Sequence, residues 1–291
     1  MAASNNGRCP ITMTHLFISL QALLPQHTLS RWIGRLAELE RPFWLKNTLI
    51  QLFMRAYDIS LEEAVCEDPK GFPHFNAFFT RDLKENARPQ GNTALISPAD
   101  GCVSQRGTIS QGQLIQAKGH YYTTAALLAD GTTPSLADKF EDGSFATIYL
   151  SPKDYHRVHM PCSGTLRSTR YVPGALFAVN DTTAQNLPGL FAKNERLVCL
   201  FDTDDGPLAV VLVGAMIVAG IETVWGGVES PAPSAVRVQH WPSEQAPQFA
   251  AGDEIGRFFL GSTVIVLSPK ADLEWSVDAG DSVRMKANLA D

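Results

Sequence analysis

No Cys-x-x-Cys pair, no His-Glu-x-x-His pattern and no apolar run long enough to cross a bilayer occur in the 291 residues. The five cysteines, Cys9, Cys66, Cys102, Cys162 and Cys199, are odd in number and scattered. That excludes a cysteine-type zinc site and implies reduced thiols in a cytosolic compartment. The longest apolar run, Leu208 to Ile221, has fourteen residues and is broken by Gly214 and Gly220. A spanning helix needs about 20, and the valines here read as buried strand. Met1 to Pro10 is polar and has no apolar core, so no secretory signal is read there. A basic surplus is also missing: the net charge of -6 argues against a nucleic-acid partner.

What is present is a globular composition, 45% hydrophobic and 19% charged, in a length that suits one large domain with a small appendage. The charge is unevenly spread. Residues 1–57 carry six basic side chains, Arg8, Arg31, Arg35, Arg41, Lys46 and Arg55, against Glu38 and Glu40, a balance of +4 that leaves -10 for the remainder. Met1 to Thr12 shows no periodicity and reads as a disordered extension, with Met13 an alternative start. From Thr14, Leu16, Phe17, Leu20, Leu23 and Leu24 repeat at helical spacing until Pro25 stops them. A second helix follows, capped by Thr28 or Ser30, with Leu29, Trp32, Ile33 and Leu36 on one stripe. Pro42 opens a third, carrying Phe43, Trp44, Leu49, Leu52 and Phe53. Two readings stand for these helices. They either pack on the protein's own core or lie apolar face down on an anionic bilayer.

Beyond about Asp68 the texture changes to short β-type runs between Gly, Pro and Asp: Phe145 to Leu150, Leu197 to Phe201, Leu208 to Val213, Ile217 to Val224 and Thr263 to Leu267. Helical signals there are few, the clearest being Thr123 to Leu128 and Asp181 to Asn186. The fold class expected is α+β: a β-rich sandwich or partly closed barrel over residues 69–291, with a helical appendage over 13–68.

Three segments concentrate reactive groups. In Leu260-Gly261-Ser262-Thr263 a hydroxyl directly follows a glycine carbonyl, and glycine leaves that carbonyl unobstructed for attack by Ser262. In Ser97-Pro98-Ala99-Asp100-Gly101 a carboxylate precedes a turn glycine. In Asp154-Tyr155-His156-Arg157-Val158-His159 two of the seven histidines lie three apart. A metal site with Asp154 or Asp100 as third ligand has no supporting motif. Asp100, one histidine and Ser262 supply the types of a Ser-His-Asp arrangement. That arrangement is shared by a self-cleaving chain and by a serine hydrolase acting on an external ester, although no Gly-x-Ser-x-Gly elbow surrounds Ser262. A lipid-binding module without processing is the third reading, and it leaves the histidine pair unexplained.

Collinear segments decide among these. Phe75-Asn76-Ala77-Phe78-Phe79-Thr80-Arg81, Ser97 to Gly101, Gln116-Ala117-Lys118-Gly119-His120, Asp154 to Cys162, Tyr171-Val172-Pro173-Gly174, Asn194-Glu195-Arg196, Ile221 to Trp225 and Gly256-Arg257-Phe258 leading into Leu260 to Thr263 together resemble the bacterial-type phosphatidylserine decarboxylases. The likeness runs from about Thr14 to the end. It implies self-cleavage between Gly261 and Ser262 by a triad of Asp100, His159 and Ser262, giving a β chain 1–261 and an α chain 262–291. Ser262 would become a covalent pyruvoyl group, the only cofactor, with neither metal nor pyridoxal phosphate. That group would form the Schiff base through which phosphatidylserine is decarboxylated to phosphatidylethanolamine, with His156 as the proton donor. The resemblance further implies a homo-oligomer, a dimer, and makes residues 13–68 a membrane-docking region. The protein would then sit peripherally on the cytoplasmic face of a bacterial membrane, its substrate drawn from an anionic bilayer.

Overall fold

A computed structural model describes residues 13–131, 135–216, 220–230 and 235–291. The expected extension Met1 to Thr12 lies outside them, as do residues 217–219 of the expected strand Ile217 to Val224. Three helices open the chain: α1 (Met13–Leu23), α2 (Gln26–Ala37) and α3 (Phe43–Tyr57). Pro25 and Pro42 stand at the N-caps of α2 and α3, where a missing N–H costs nothing; neither Thr28 nor Ser30 caps α2. A short helix α4 (Phe75–Phe79) follows, opened by His74, whose Nδ1 accepts the Ala77 N–H at 3.1 Å. No helix was expected there, because three of its five residues are phenylalanines, which favour strands by propensity.

The rest is a mixed but mainly β structure, as expected, in the form of stacked open sheets with no closed barrel. A nine-stranded antiparallel sheet runs from an edge at Arg237–His240 to one at Ser282–Val283 without closing. At its centre Ser262–Ser268 pairs with Ser144–Leu150 on one side and Gly206–Val213 on the other. All seven residues of that central strand are buried. Side chains alternate across a strand, so Val264 and Val266 enter one core while Ile265 and Leu267 enter the other. Burial on both faces is why the run reads as continuously apolar. The first core lies between this sheet and a four-stranded sheet of Gly227–Ser230, Gly220–Thr223, Glu254–Phe259 and Arg157–His159. Expected helices Thr123 to Leu128 and Asp181 to Asn186 form as Thr124–Leu128 and Asp181–Asn186; Leu127, Leu128 and Ala184 join the second core.

A separate cluster joins Ala37 of α2 and Ile50 of α3 to Phe72, Phe75, Phe78 and Phe79, with Leu260 packed against it. The helical segment thus shares one apolar core with residues beyond 68 and touches the chain two residues before Ser262.

Candidate active site

Glu254–Phe259 belongs to the small sheet and Ser262–Ser268 to the large one, so Leu260 and Gly261 form the whole link between them. Both residues of that link are left-handed, Leu260 at φ 77° and Gly261 at φ 55°. Glycine tolerates this conformation, whereas in a residue with a side chain it costs about 1–3 kcal/mol. Strain is therefore concentrated beside the carbonyl that Ser262 would attack. The Ser262 side chain is fully buried, and its Oγ has no hydrogen-bond partner. An unpaired buried hydroxyl costs about 1–3 kcal/mol, so its retention next to a left-handed link calls for a reason.

Ser262 pairs in register with Leu150, and the segment after Leu150 crosses between the same two sheets as it leads into Arg157–His159. This second crossing carries His156. Its Nδ1 donates to the Asp154 carbonyl at 2.8 Å, which leaves Nε2 as the lone-pair nitrogen, buried and without a partner. The Phe79 ring lies 4.0 Å from the imidazole, centroid to centroid. Burial pushes the His156 pKa down to about 3. A bare, neutral nitrogen is thus fixed in the corner, and the Phe258 N–H donates to the His156 carbonyl at 3.0 Å, four residues before Ser262.

His159 is held differently. Its Nδ1 donates to the Gly252 carbonyl at 2.9 Å, and Nε2 accepts the Tyr155 hydroxyl at 3.0 Å. The Gly252 carbonyl, a backbone group that residue typing could not single out, therefore fixes the tautomer here. Burial lowers the pKa of this histidine too. Asp100 receives two hydrogen bonds from Arg88, Nε at 2.9 Å and Nη2 at 2.5 Å, and a third from the Met285 N–H at 2.7 Å. Neither Asp100 nor Ser262 bonds to His159. Backbone contacts nonetheless gather the three segments: the His159 N–H donates to the Pro98 carbonyl at 2.8 Å, and His159 pairs with Glu254 on the strand that leads into the cleavage link. Arg88 and Tyr155 are the groups that sequence reasoning missed. Tyr155 stands inside the segment already singled out, whereas nothing near Arg88 in the sequence marks it.

An apolar groove of about 380 Å³ opens beside the link, lined by Ile33, Leu36, Leu49, Leu52 and Phe53 of the helices and by Leu260 itself. The same helices α2 and α3 expose Trp32 (64% exposed), Trp44 (69%) and Phe43 (58%). Among the described residues no helix is long and apolar enough to cross a membrane.

Similarity to known proteins agrees with this geometry. Residues 75–291 match the phosphatidylserine decarboxylase family, and residues 16–58 match a further family described as PSD. The phosphatidylserine decarboxylase proenzyme of Alcanivorax borkumensis is 53% identical over 279 residues, covering 94% of this chain and 95% of that protein. The proenzyme of Pseudomonas entomophila is 54% identical over 283 residues, covering 95% and 98%. That of Azotobacter vinelandii is 54% identical over 266 residues, covering 89% and 91%. Identity at this level over nearly the whole length, with the family match over residues 75–291, places the chain in the phosphatidylserine decarboxylase family.

Proposed function

We propose that this chain is a precursor that cuts itself between Gly261 and Ser262 and then decarboxylates phosphatidylserine to phosphatidylethanolamine. The observation that carries the reading is the unpaired, buried Ser262 hydroxyl behind two left-handed residues. Oγ adds to the Gly261 carbonyl carbon, the C–N bond breaks, and the proton lost from Oγ ends on the freed amine. Loss of the Ser262 Cα proton then breaks the Cβ–O bond and releases Gly261 as a carboxylate. The dehydroalanine left behind tautomerises to an imine, which water hydrolyses to a pyruvoyl ketone with release of ammonia. His159 is the base for Ser262, with Asp100 stabilising the charge it acquires. The Tyr155 hydroxyl on Nε2 either passes the proton along or turns aside first.

A pyruvoyl group would occupy the buried position of Ser262, on the crossing that neighbours the one carrying His156, and would supply the electron sink for loss of carbon dioxide. His156 then acts at Nε2. The proton that the substrate's ammonium gives up as the amine is engaged is relayed through this unpartnered nitrogen to Cα after decarboxylation.

The substrate's acyl chains fit the groove that ends at Leu260, and the exposed Trp32, Phe43 and Trp44 dock the protein peripherally on the cytoplasmic face of the bacterial membrane. Association of two copies into a dimer belongs to the same reading, and sedimentation equilibrium of the mature protein checks it.

Intact-mass measurement of the purified protein tests the centre of this reading. Two chains split after Gly261 are expected, the smaller blocked by a pyruvoyl group, and an uncut chain with serine at 262 would remove the proposal. His159→Ala should stay largely uncut, whereas His156→Ala should cut normally and lose at least about a hundredfold in turnover, the usual worth of a proton-transfer group.

A further inference from the structure

Arg81 follows α4 directly, and only 7% of it is exposed. Among the described residues its guanidinium makes one hydrogen bond, from Nη2 to the Lys153 carbonyl at 3.3 Å, and it lies 5.8 Å from the centroid of the Phe78 ring. Other buried arginines of this chain are better satisfied. Arg88 holds two carboxylates, as does the half-buried Arg157, and Arg196 donates to four backbone carbonyls. Among the described residues no carboxylate stands within ion-pair distance of Arg81; Asp100 and Asp154 favour its charge only from farther away. A guanidinium carries five N–H donors and stays protonated even when burial lowers its pKa. Four donors of a buried cation are thus left for a ligand.

That cation adjoins the reaction centre. Lys153 lies in the crossing that carries His156, and Phe79, two residues before Arg81, packs on the His156 ring. The same helix holds Asn76, buried with neither of its amide atoms bonded, a second polar side chain whose partner the chain does not supply.

The head group of phosphatidylserine offers two anions. Its carboxylate departs as carbon dioxide, so a guanidinium clamped on it would stabilise the ground state above the transition state and slow the reaction. The phosphodiester is unchanged throughout, and binding it carries no such penalty. We propose that Arg81 binds the phosphodiester of the lipid head group and thereby sets the reach of the amino acid end toward position 262. This rests on the decarboxylase reading.

Steady-state kinetics of fully cut protein on dispersed dioctanoyl phosphatidylserine tests it. In Arg81→Gln, KM should rise about tenfold or more with kcat within about twofold, as expected for loss of a bidentate charged contact to a group that does not react. Inhibition by dioctanoyl phosphatidylglycerol, which keeps the phosphodiester and lacks amine and carboxylate, should weaken by the same factor. Inhibition by free serine should not change, and any inhibition by inorganic phosphate, which shares the oxyanion, should weaken together with that by phosphatidylglycerol. Unchanged KM and unchanged phosphatidylglycerol inhibition overturn the proposal, and so does weakened inhibition by serine or phosphate alone. If Arg81→Gln does not fold or mature, Arg81→Lys carries the test: it keeps the charge and loses the fork, and KM should rise about threefold or more. A KM equal to the wild type in that variant also overturns the assignment. Failure of the underlying reading shows separately, as no phosphatidylethanolamine from the wild type.

Discussion

His156 and His159 stand three residues apart, and each gives Nδ1 to a backbone carbonyl, so they differ at Nε2. Both are buried, but only His156 keeps a nitrogen without a partner, and its pKa is pushed down to about 3 against about 6.5 in an unfolded chain. Between those values the unfolded state binds a proton that the folded state refuses. The stability that comes with the neutral ring is therefore complete above pH 6.5 and is lost as pH falls toward 3. In a Ser262→Ala background, which prevents cutting, the unfolding free energy should drop between pH 7 and pH 5. In Ser262→Ala/His156→Gln the drop should be smaller by about 2 kcal/mol. Urea titrations at the two pH values check this, and parallel losses in both proteins would show that His156 titrates normally. The reactive types at these positions were legible in the sequence, since side-chain chemistry is local information. Their partners were not: Met285 reaches Asp100 and Gly252 reaches His159 only once distant segments are brought together, and even the nearer Arg88 and Tyr155 are chosen by the folded geometry rather than by spacing.

Helix α2 shows how an element can be foreseen while periodicity leaves its orientation open. The stripe of Leu29, Trp32, Ile33 and Leu36 was legible, and burial on the protein's own core was one of its two readings. In the fold the fully buried positions of α2 are Ser30 and Ala37, while Trp32 and Leu36 face outward. Polar side chains set that direction. Gln21 and Gln26 accept the N–H groups of Ala178 and Leu176 at 2.9 and 2.7 Å, and the His27 ring meets the Gly174 carbonyl at 2.9 Å. These bonds pin the α1–α2 corner to the large domain and turn the apolar stripe away from it. Periodicity records which residues share a face; it does not record what that face meets. Because Ala37 and Ile50 belong to the cluster around α4, deleting residues 1–57 would damage the core as well as the surface. Point substitutions separate the two. Trp32→Glu and Trp44→Glu should each weaken sedimentation with anionic vesicles by about 1–2 kcal/mol, roughly five- to thirtyfold, without lowering the unfolding midpoint. Unchanged vesicle binding by the double variant would reject docking through these helices.

Across the whole molecule, the proposed cut falls at one of the crossings between the two sheets, so the α chain begins with the central strand of the larger sheet. Seven residues of that strand pair with Ser144–Leu150 and five with Gly206–Val213. The remaining α-chain residues are tied to the β chain as well. Ser282 and Val283 pair with Cys102 and Gly101, Asn288–Ala290 pairs with Leu95–Ile96, and the Arg88–Asp100 unit holds the Met285 N–H. The native contacts therefore survive the cut, and what changes is the unfolded state, which becomes two molecules. Restoring the central strand then requires an encounter between chains, so recovery depends on protein concentration. It also requires long-range strand pairing on both sides of the inserted strand, which is slow and leaves the open sheet exposed to aggregation. The uncut Ser262→Ala chain should regain its native circular dichroism after dilution from urea to a yield independent of concentration in the micromolar range and below. The mature two-chain protein should elute as one species under native conditions, yet recover a fraction that falls with dilution. Equal, concentration-independent recovery for both would mean that residues 262–291 are not needed to rebuild the sheet, contrary to their place at its centre.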